Sequence, residues 1–395
     1  EGFCSDEASL KLCVMKEVKV NSKRTMITGE DSVSDSDSDS DSSLPMVLLL
    51  DEIFPKLPVK SIARFRCVSK LCRSMPIRRL LFALQRVNDE FLIFSSHQPH
   101  QKKPSSSPLV ASADFHMKIC QYTWPVFRGL TSRLIYFSTA RNGNQEPLIY
   151  NPITGEHESL PELSRYRKSY SFIGFDPIGK QFKLLFMAYP YCFEGGDHRV
   201  MTLGNGEKKI WREVKCSLTH LPVTEGICID GVLYYVGENN DIEKSCEIVC
   251  FDVRSEEFKF VSAKCFSVPH STRLVNYKGK LGGIELTYDD DDAAVLTVRV
   301  LEDGERCEWS EYVYTLPENE VFVTDVFVVG MTGAGEIVLS DRFTAKPFYV
   351  FYFDPQRNTL QAVEVRGVGE YSEAFESECS VYAFVDYEVD PKFIT

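Results

Sequence analysis

The sequence predicts a mainly β protein, in which a small N-terminal α unit precedes a closed, propeller-like β domain of about six four-stranded blades. Short β-rich runs broken by Gly, Pro, Asn and Asp extend from Phe91 to Asp390 with almost no helical periodicity. Turn residues in that region recur at a spacing of about 50 residues, the length of a four-stranded blade. Residues 44–87 instead carry apolar residues at helical spacing. We therefore expect three domains, at residues 1–43, 44–87 and 88–390.

The first domain ends in a low-complexity acidic tract. Residues 30–43 alternate Asp with Ser, and Val33 is their single large apolar residue. Such a segment buries too little apolar surface to offset its ordering entropy, so we expect residues 1–43 to be disordered. Serines beside aspartates suit an acidophilic kinase, but a solvating linker is the interpretation we favour.

The second domain is short, basic and helical. Residues 53–88 contain nine Lys or Arg residues and no acidic residue. Two sets of apolar residues have the spacing of a helix face. The first set is Leu49, Leu50, Ile53 and Phe54, and the second is Ile62, Phe65 and Val68. Pro58 separates the two, since proline disfavours helix in the residue before it. A unit this small builds little core of its own and needs a partner surface.

The third domain contains two interleaved series of turns. Members of the first follow one another at steps of 51, 49, 49 and 54 residues: Gly155, Gly206, Ser255, Gly304 and Asn358. Members of the second follow at steps of 52, 48 and 56 residues: Gly179, Gly231, Gly279 and Gly335, with Gly129 as a weaker earlier member. Two hairpins per period make four strands per blade, and about 300 residues make about six blades.

A ring of blades needs a closing contact. We expect the strand at residues 91–94 to pair with the final strand near residues 381–385, because closure removes sheet edges that otherwise template aggregation. Seven irregular blades and an open double sandwich are the alternatives.

Charge, hydropathy and cysteine content exclude several classes of function. The formal net charge is −13, which disfavours wrapping nucleic acid. No apolar run approaches the roughly 20 residues that cross a bilayer, and residues 1–19 lack the apolar centre of a secretory signal. The 13 cysteines include no C-x-x-C pair, so we expect free thiols, no metal site and a cytoplasmic or nuclear location.

One stretch resembles a known family. Residues 57–70, LPVKSIARFRCVSK, followed by Arg73 and Ser74, closely resemble the F-box of plant F-box proteins. The match runs through fourteen consecutive positions with one or two conservative changes. Downstream, residues 149–155, IYNPITG, and 175–177, FDP, resemble the kelch-like or propeller-like region that follows the F-box in a large plant family. The resemblance covers about residues 44–390.

The resemblance implies the substrate-recognition subunit of an SCF-type ubiquitin ligase. In that family the F-box docks on a Skp-type adaptor, which links it to a cullin, and the β domain captures a target protein for ubiquitination. The subunit is not itself an enzyme and needs no cofactor. The resemblance assigns these residues to adaptor binding: Leu49, Leu50, Ile53, Leu57, Pro58, Val59, Lys60, Ser61, Ile62, Phe65, Arg66, Cys67, Val68, Ser69, Lys70 and Arg73.

The sequence departs from the F-box pattern at three places. Leu44 and Pro45 stand one residue too far from Glu52. Leu48 replaces the aspartate that caps the first helix, a loss of about 1 kcal/mol. Cys72 replaces a tryptophan and removes aromatic contact area. These changes favour weakened adaptor binding, and the alternative function is a non-catalytic propeller scaffold with a degenerate F-box, not coupled to ubiquitination.

Two further classes have little support. An enzyme or lectin is disfavoured because the seven histidines are scattered over different repeats. The acidic run Asp289 to Asp292 lacks the alternating spacing of a calcium-binding loop, so we interpret it as a solvated hairpin tip. For a nucleic-acid binder, the basic stretch from Lys56 to Arg86 is better explained as a charged face for an acidic protein partner.

Target recognition is expected on the loops at one face of the ring. The longer candidates are residues 189–198, 217–223, 238–245 and 288–293. Tyr189, Tyr191 and Phe193 give the first of these loops aromatic side chains of the type enriched in binding hot spots. Aromatic packing within a blade explains the same residues equally well.

Overall fold

The computed structural model describes Ser61 and the β domain in eleven segments: residues 78–88, 90–98, 109–119, 125–131, 134–139, 147–161, 169–188, 198–204, 209–239, 245–318 and 325–389. The chain divides into two compact units, Glu1–Met75 and Pro76–Thr395. The predictions of a disordered tail and of F-box helices concern residues outside the described ones. Within the described residues, no helix has the length and apolar character needed to cross a membrane.

The described strands fall into six groups, which we number as blades 1 to 6. Blade 1 joins the first three strands to the last one: β1 (Arg78–Gln85), β2 (Phe91–His97), β3 (Leu109–Ile119) and β25 (Ser380–Glu388). Blades 2 and 3 are consecutive: β4 (Pro125–Thr131), β5 (Leu134–Thr139), β6 (Leu148–Tyr150), β7 (His157–Ser159), β8 (Ser169–Asp176), β9 (Gln181–Ala188), β10 (His198–Leu203) and β11 (Arg212–Glu213).

The remaining strands continue in chain order. Blade 4 has five strands, because two short ones pair with different parts of the same neighbour: β12 (His220–Pro222), β13 (Ile227–Ile229), β14 (Val232–Asn239), β15 (Cys246–Asp252) and β16 (Phe258–Ser262). Blades 5 and 6 are β17 (Arg273–Tyr277), β18 (Lys280–Tyr288), β19 (Ala294–Asp303), β20 (Glu308–Thr315), β21 (Val326–Met331), β22 (Ile337–Asp341), β23 (Tyr349–Asp354) and β24 (Thr359–Val368). Within the described segments there are also two short 3-10 helices, Pro269–Ser271 and Ser372–Phe375.

The inner strands of the blades connect them into a ring. β4 contacts β8, β8 contacts β13, β13 contacts β17, β17 contacts β21 and β21 contacts β25. Blade 1 then reaches blade 2, where Phe91 packs edge-on against Phe137 with ring centroids 5.2 Å apart. On the outside, β24 of blade 6 pairs in parallel with β3 of blade 1. The six groups match the expected number of blades.

The ring closes through a different strand from the one expected. β25 pairs with β1, from Arg78 opposite Glu388 to Gln85 opposite Ser380, and β2 lies on the far side of β1. The prediction that residues 78–87 belong to the helical unit is therefore wrong for Arg78–Gln85. Five consecutive residues, Leu80 to Leu84, are almost completely buried, which fits a central strand covered on both faces.

The two series of turns are the two hairpins of a blade. The first series joins the outer strands, where an acidic or amide side chain accepts backbone N–H groups: Asp252 Oδ1 accepts from Arg254 at 2.9 Å, and Asp303 Oδ1 from Glu305 at 2.8 Å. The second series joins the inner strands, where Gly231 and Gly279 have φ of +86° and +89°. Gly129 is an exception, because it lies inside β4 at a register shift.

The two faces of the ring differ in their connections. The inner strands β13, β17, β21 and β25 begin at one face, which we name the loop face, and end at the other, the turn face. The register of each blade places both series of short turns at the turn face and the connections β9–β10, β14–β15, β18–β19 and β22–β23 at the loop face. β1 begins at the turn face, opposite the end of β25.

A buried carboxyl at the turn face makes stability depend on pH. Burial, reinforced by the Asp354 carboxylate, raises the pKa of Glu336 from 4.5 to about 7. The folded chain therefore keeps a proton that the unfolded chain has lost, so stability falls as the pH rises from about 4.5 to 7.

We expect Glu336→Gln, which mimics the protonated form, to match the wild type near pH 4.5 and to be more stable above pH 7, by at most about 3 kcal/mol. Urea unfolding across this pH range measures the difference. The exposed Glu305→Gln serves as the control. A pH-independent difference for Glu336→Gln would contradict the prediction.

Candidate functional site

A cavity occupies the centre of the ring. Its volume is about 570 Å³, and it is lined by residues at or beside the inner strands β4, β13, β17, β21 and β25. A second recess of about 300 Å³ lies at the loop face. The two share five lining residues, which we name the loop-face cluster: Glu225, Arg273, Phe327, Arg342 and Phe384.

Arg273, the first residue of β17, is held on three sides. Its guanidinium forms an ion pair with Glu225, which lies just before β13. Its Nε donates to the carbonyl of Val329 in β21 at 2.9 Å. The guanidinium carbon lies 5.9 Å from the centre of the Phe384 ring, within the range of a cation–π contact. Arg273 therefore connects blades 4, 5, 6 and 1 at the mouth of the cavity.

Arg342 is an exposed member of the cluster. Its Nε lies 3.1 Å from Asp325 Oδ1, and its guanidinium carbon lies 5.8 Å from the centre of the Phe327 ring. The next residue, Phe343, keeps 44% of its surface exposed. An arginine beside exposed aromatic surface is a combination found in protein-binding hot spots.

The predicted loop at residues 288–293 reaches the same region. Burial raises the pKa of Tyr288, and the Asp325 carboxylate adds to that effect, which places the phenol near the Arg342 ion pair. The acidic run that follows is a hairpin tip: Asp289 Oδ1 accepts the N–H groups of Asp291 at 3.0 Å and Ala293 at 2.8 Å. This geometry matches the interpretation made from the sequence.

The chemistry of the loop-face cluster is that of binding. Both arginines are paired with partly exposed carboxylates, and pairs of this kind contribute little to stability. A carboxylate or phosphate on a partner protein can replace Glu225 or Asp325 at little cost, and the aromatic rings provide apolar contact area. The cluster therefore suits the capture of a protein segment that combines negative charge with apolar side chains.

The other site residues predicted from the sequence lie mostly outside the described residues. Of the sixteen F-box positions, Ser61 alone is described. Tyr189, Tyr191 and Phe193 also lie outside, although the flanking strand ends, Ala188 and His198, are at the loop face. The predictions for these residues stay predictions.

The arginines of the cluster were missed by sequence analysis. Glu225 and Arg273 are 48 residues apart, and Phe384 comes from the last strand. One sequence signal could have identified Arg273 as a candidate site residue. It stands at the start of an inner strand, about one blade period before Phe327.

A second, separate group of polar side chains lies between blades 3 and 4. One donor atom from each of His198, Cys216 and His220 lies within 4.8 Å of the others, which makes the group a candidate metal site. Both histidines are buried, and Cys216 is partly buried. The sequence analysis expected no metal site.

The chain was compared with protein families, with curated proteins and with solved structures. The family described as "F-box associated beta propeller domain" matches residues 79–388. The Arabidopsis thaliana F-box protein At3g57590 is 44% identical over 373 residues, covering 88% of this chain and 90% of that protein. F-box protein At1g47340 from the same plant is 43% identical over 378 residues, covering 87% and 80%. Among solved structures, the WD40 domain of SCAP from fission yeast aligns at a TM-score of 0.37 with 8% identity, covering 78% and 95%.

Proposed function

The chain belongs to the F-box-associated β-propeller family of plant F-box proteins, and from this premise we propose that it is the substrate-recognition subunit of an SCF-type ubiquitin ligase. The F-box segment binds a Skp-type adaptor and through it a cullin. The propeller captures a target protein for ubiquitination. The subunit contributes binding rather than catalysis.

One observation carries this proposal: the family match and the F-box motif occur in the same chain and directly adjoin each other. The motif at residues 57–74 is followed by a propeller that begins at Arg78. The relatives named as F-box proteins align over 87–88% of the chain, more than the propeller alone. An adaptor-binding segment joined to a binding domain is what a substrate receptor requires.

The arrangement of the propeller supports an assignment of the target-binding surface to one of its two faces. β1, the first strand after the F-box motif in the sequence, begins at the turn face. The loop face carries the loop-face cluster. We assign target capture to the loop face, because the loop-face cluster combines arginine and aromatic side chains there. We place the protein in the cytosol or nucleus, where its thiols stay reduced.

Adaptor binding is the decisive test. We expect the full chain, titrated with a plant Skp-type adaptor in a calorimeter, to bind with a Kd in the micromolar range or tighter. Leu57→Ala combined with Pro58→Ala removes apolar contact area at the centre of the F-box motif, and we expect it to weaken binding at least about 30-fold, near 2 kcal/mol. Val87→Ala, at a position 97% exposed on the propeller, is the control and keeps full affinity.

The Cys72→Trp variant separates the proposal from its alternative. If the wild type does not bind but Cys72→Trp does, the chain is a propeller scaffold whose F-box has lost its coupling to the ligase. If neither binds while circular dichroism shows a folded β domain, the receptor function is refuted. Binding by the wild type, strengthened by Cys72→Trp, supports the proposal and measures the effect of the missing aromatic ring.

A further inference from the structure

The group of side chains between blades 3 and 4 has the composition of a soft-metal site. His198 begins β10 in blade 3, Cys216 follows β11, and His220 begins β12 in blade 4. Two imidazoles and one thiolate suit Cu(I) and Zn(II). Cys216 and His220 are four residues apart, a short spacing that is visible in the sequence. His198 comes eighteen residues before Cys216, and the fold brings it close to the other two.

The three donor atoms are close enough to bind one ion after small movements. They lie within 4.8 Å of one another. Metal bonds of about 2.0–2.3 Å in a trigonal arrangement place such atoms roughly 3.6–4.0 Å apart. Rotations about side-chain bonds provide the remaining shift of about 1 Å. Cys216 is only partly buried, so an ion can reach the site from solvent.

The hydrogen bonds of His220 orient it as a ligand. Its Nδ1 lies 2.9 Å from the carbonyl oxygen of Leu218, and since that oxygen only accepts, the proton is on Nδ1 and the lone pair on Nε2. A backbone carbonyl that fixes the tautomer in this way is the usual outer partner of a metal-binding histidine.

Tyr235 explains how Nε2 becomes available. Its single hydroxyl proton has two acceptors, Nε2 of His220 at 2.8 Å and Sδ of Met187 at 3.0 Å. When a metal ion takes the Nε2 lone pair, the hydroxyl keeps Met187 as its acceptor. Tyr235 is fully buried, and this exchange leaves its hydroxyl satisfied in both states.

The surroundings favour a monovalent ion. The rings of Phe258 and Phe260 lie 5.4 Å and 6.1 Å from those of His198 and His220. The third ligand is the Cys216 thiol. Replacing the thiol proton by Cu(I) keeps the site neutral, with the proton released to solvent, whereas Zn(II) leaves a net positive charge in an apolar environment, which is unfavourable.

We propose that His198, Cys216 and His220 bind one Cu(I) ion between blades 3 and 4. The ion ties β10 to β12, two strands of neighbouring blades, on the loop-face side of the ring. This inference does not depend on the ligase function, since it concerns the propeller alone.

Copper binding is tested on the full chain, purified and reduced under argon. Titration with Cu(I) against a chromophoric chelator is expected to show one tight site. Cys216→Ser is expected to weaken it at least about 100-fold. Cys250→Ser is the matched control, because Cys250 in β15 is likewise a partly buried free thiol, and it is expected to leave the affinity unchanged.

X-ray absorption at the copper edge is the second measurement, since Cys216→Ser is not guaranteed to fold. One sulfur and two nitrogen neighbours in the wild-type spectrum support the assignment. Neighbours that are all sulfur, equal affinity in Cys216→Ser and the wild type, or no stoichiometric copper in a chain folded by circular dichroism would overturn it. Zn(II) displacing Cu(I) from the site would overturn the choice of metal.

Discussion

A chain that ends at Cys379 is expected to lose its folded propeller. β25 is the strand that closes the ring, and it pairs with the whole length of β1. Without it, β1 becomes an unpaired edge and blade 1 loses its inner strand, so blades 6 and 1 no longer meet through β21 and β25. The propeller is therefore expected to need β25 in order to fold.

The size of the effect follows from what β25 and its end bury. Five apolar residues in β25 and just after it are each at most 9% exposed: Val381, Ala383, Phe384, Tyr387 and Val389. At about 1.5–3 kcal/mol for a buried large apolar side chain, their loss is of the order of 10 kcal/mol, comparable with the whole stability of a domain. We expect the truncated chain to be insoluble, or to show no cooperative thermal transition by circular dichroism.

The control is a chain that ends at Val389, which keeps β25 and is expected to melt like the wild type. A synthetic peptide of residues 380–389, added during refolding of the truncated chain, is expected to restore solubility. Unchanged solubility and melting temperature after removal of β25 would show that the ring does not depend on this closure.

The blade period was predictable from sequence because its signals are local. Asp252 and Asp303 bind backbone N–H groups two residues ahead, and Gly231 and Gly279 adopt positive φ within their own turns. Such turns leave the same residue types at the same spacing in each blade. The F-box motif was recognisable for the same reason, since its residues are consecutive.

The closing pair and the loop-face cluster were not predictable, because they depend on register across the ring. Gln85 and Ser380 are almost 300 residues apart, and no local pattern shows that β1 and not β2 receives the last strand. Arg273 likewise gains its role from Glu225, Val329 and Phe384, which belong to three other blades. Aromatic composition pointed to Tyr189 instead, because composition identifies candidate residues but not what they lie beside.

A second large effect is expected at an ion pair in blade 1 between a buried arginine and a partly buried aspartate. Arg79 in β1 is 2% exposed, and its Nη2 donates to Asp114 Oδ2 in β3 at 2.7 Å and to the carbonyl of Ser95 in β2 at 2.9 Å. Burial lowers the pKa of Arg79, and the Asp114 carboxylate opposes that shift. Asp114→Ala leaves the guanidinium without its carboxylate, and we expect a loss of about 3–5 kcal/mol in urea unfolding.

The double variant Arg79→Met, Asp114→Leu shows whether the loss of stability comes from the uncompensated charge of Arg79 or from changed packing. Replacing a whole buried pair by apolar side chains is often neutral or stabilising, so we expect the double variant to recover most of the stability. His116 gives an independent readout: burial and then the Arg79 charge lower its pKa to about 3, so removing that charge should raise the pKa by NMR titration, still below 6.5 because burial remains. A double variant as unstable as Asp114→Ala would mean that the pair is required to align β1, β2 and β3. In that case Arg79, the second residue of β1, would have a direct part in closing the ring.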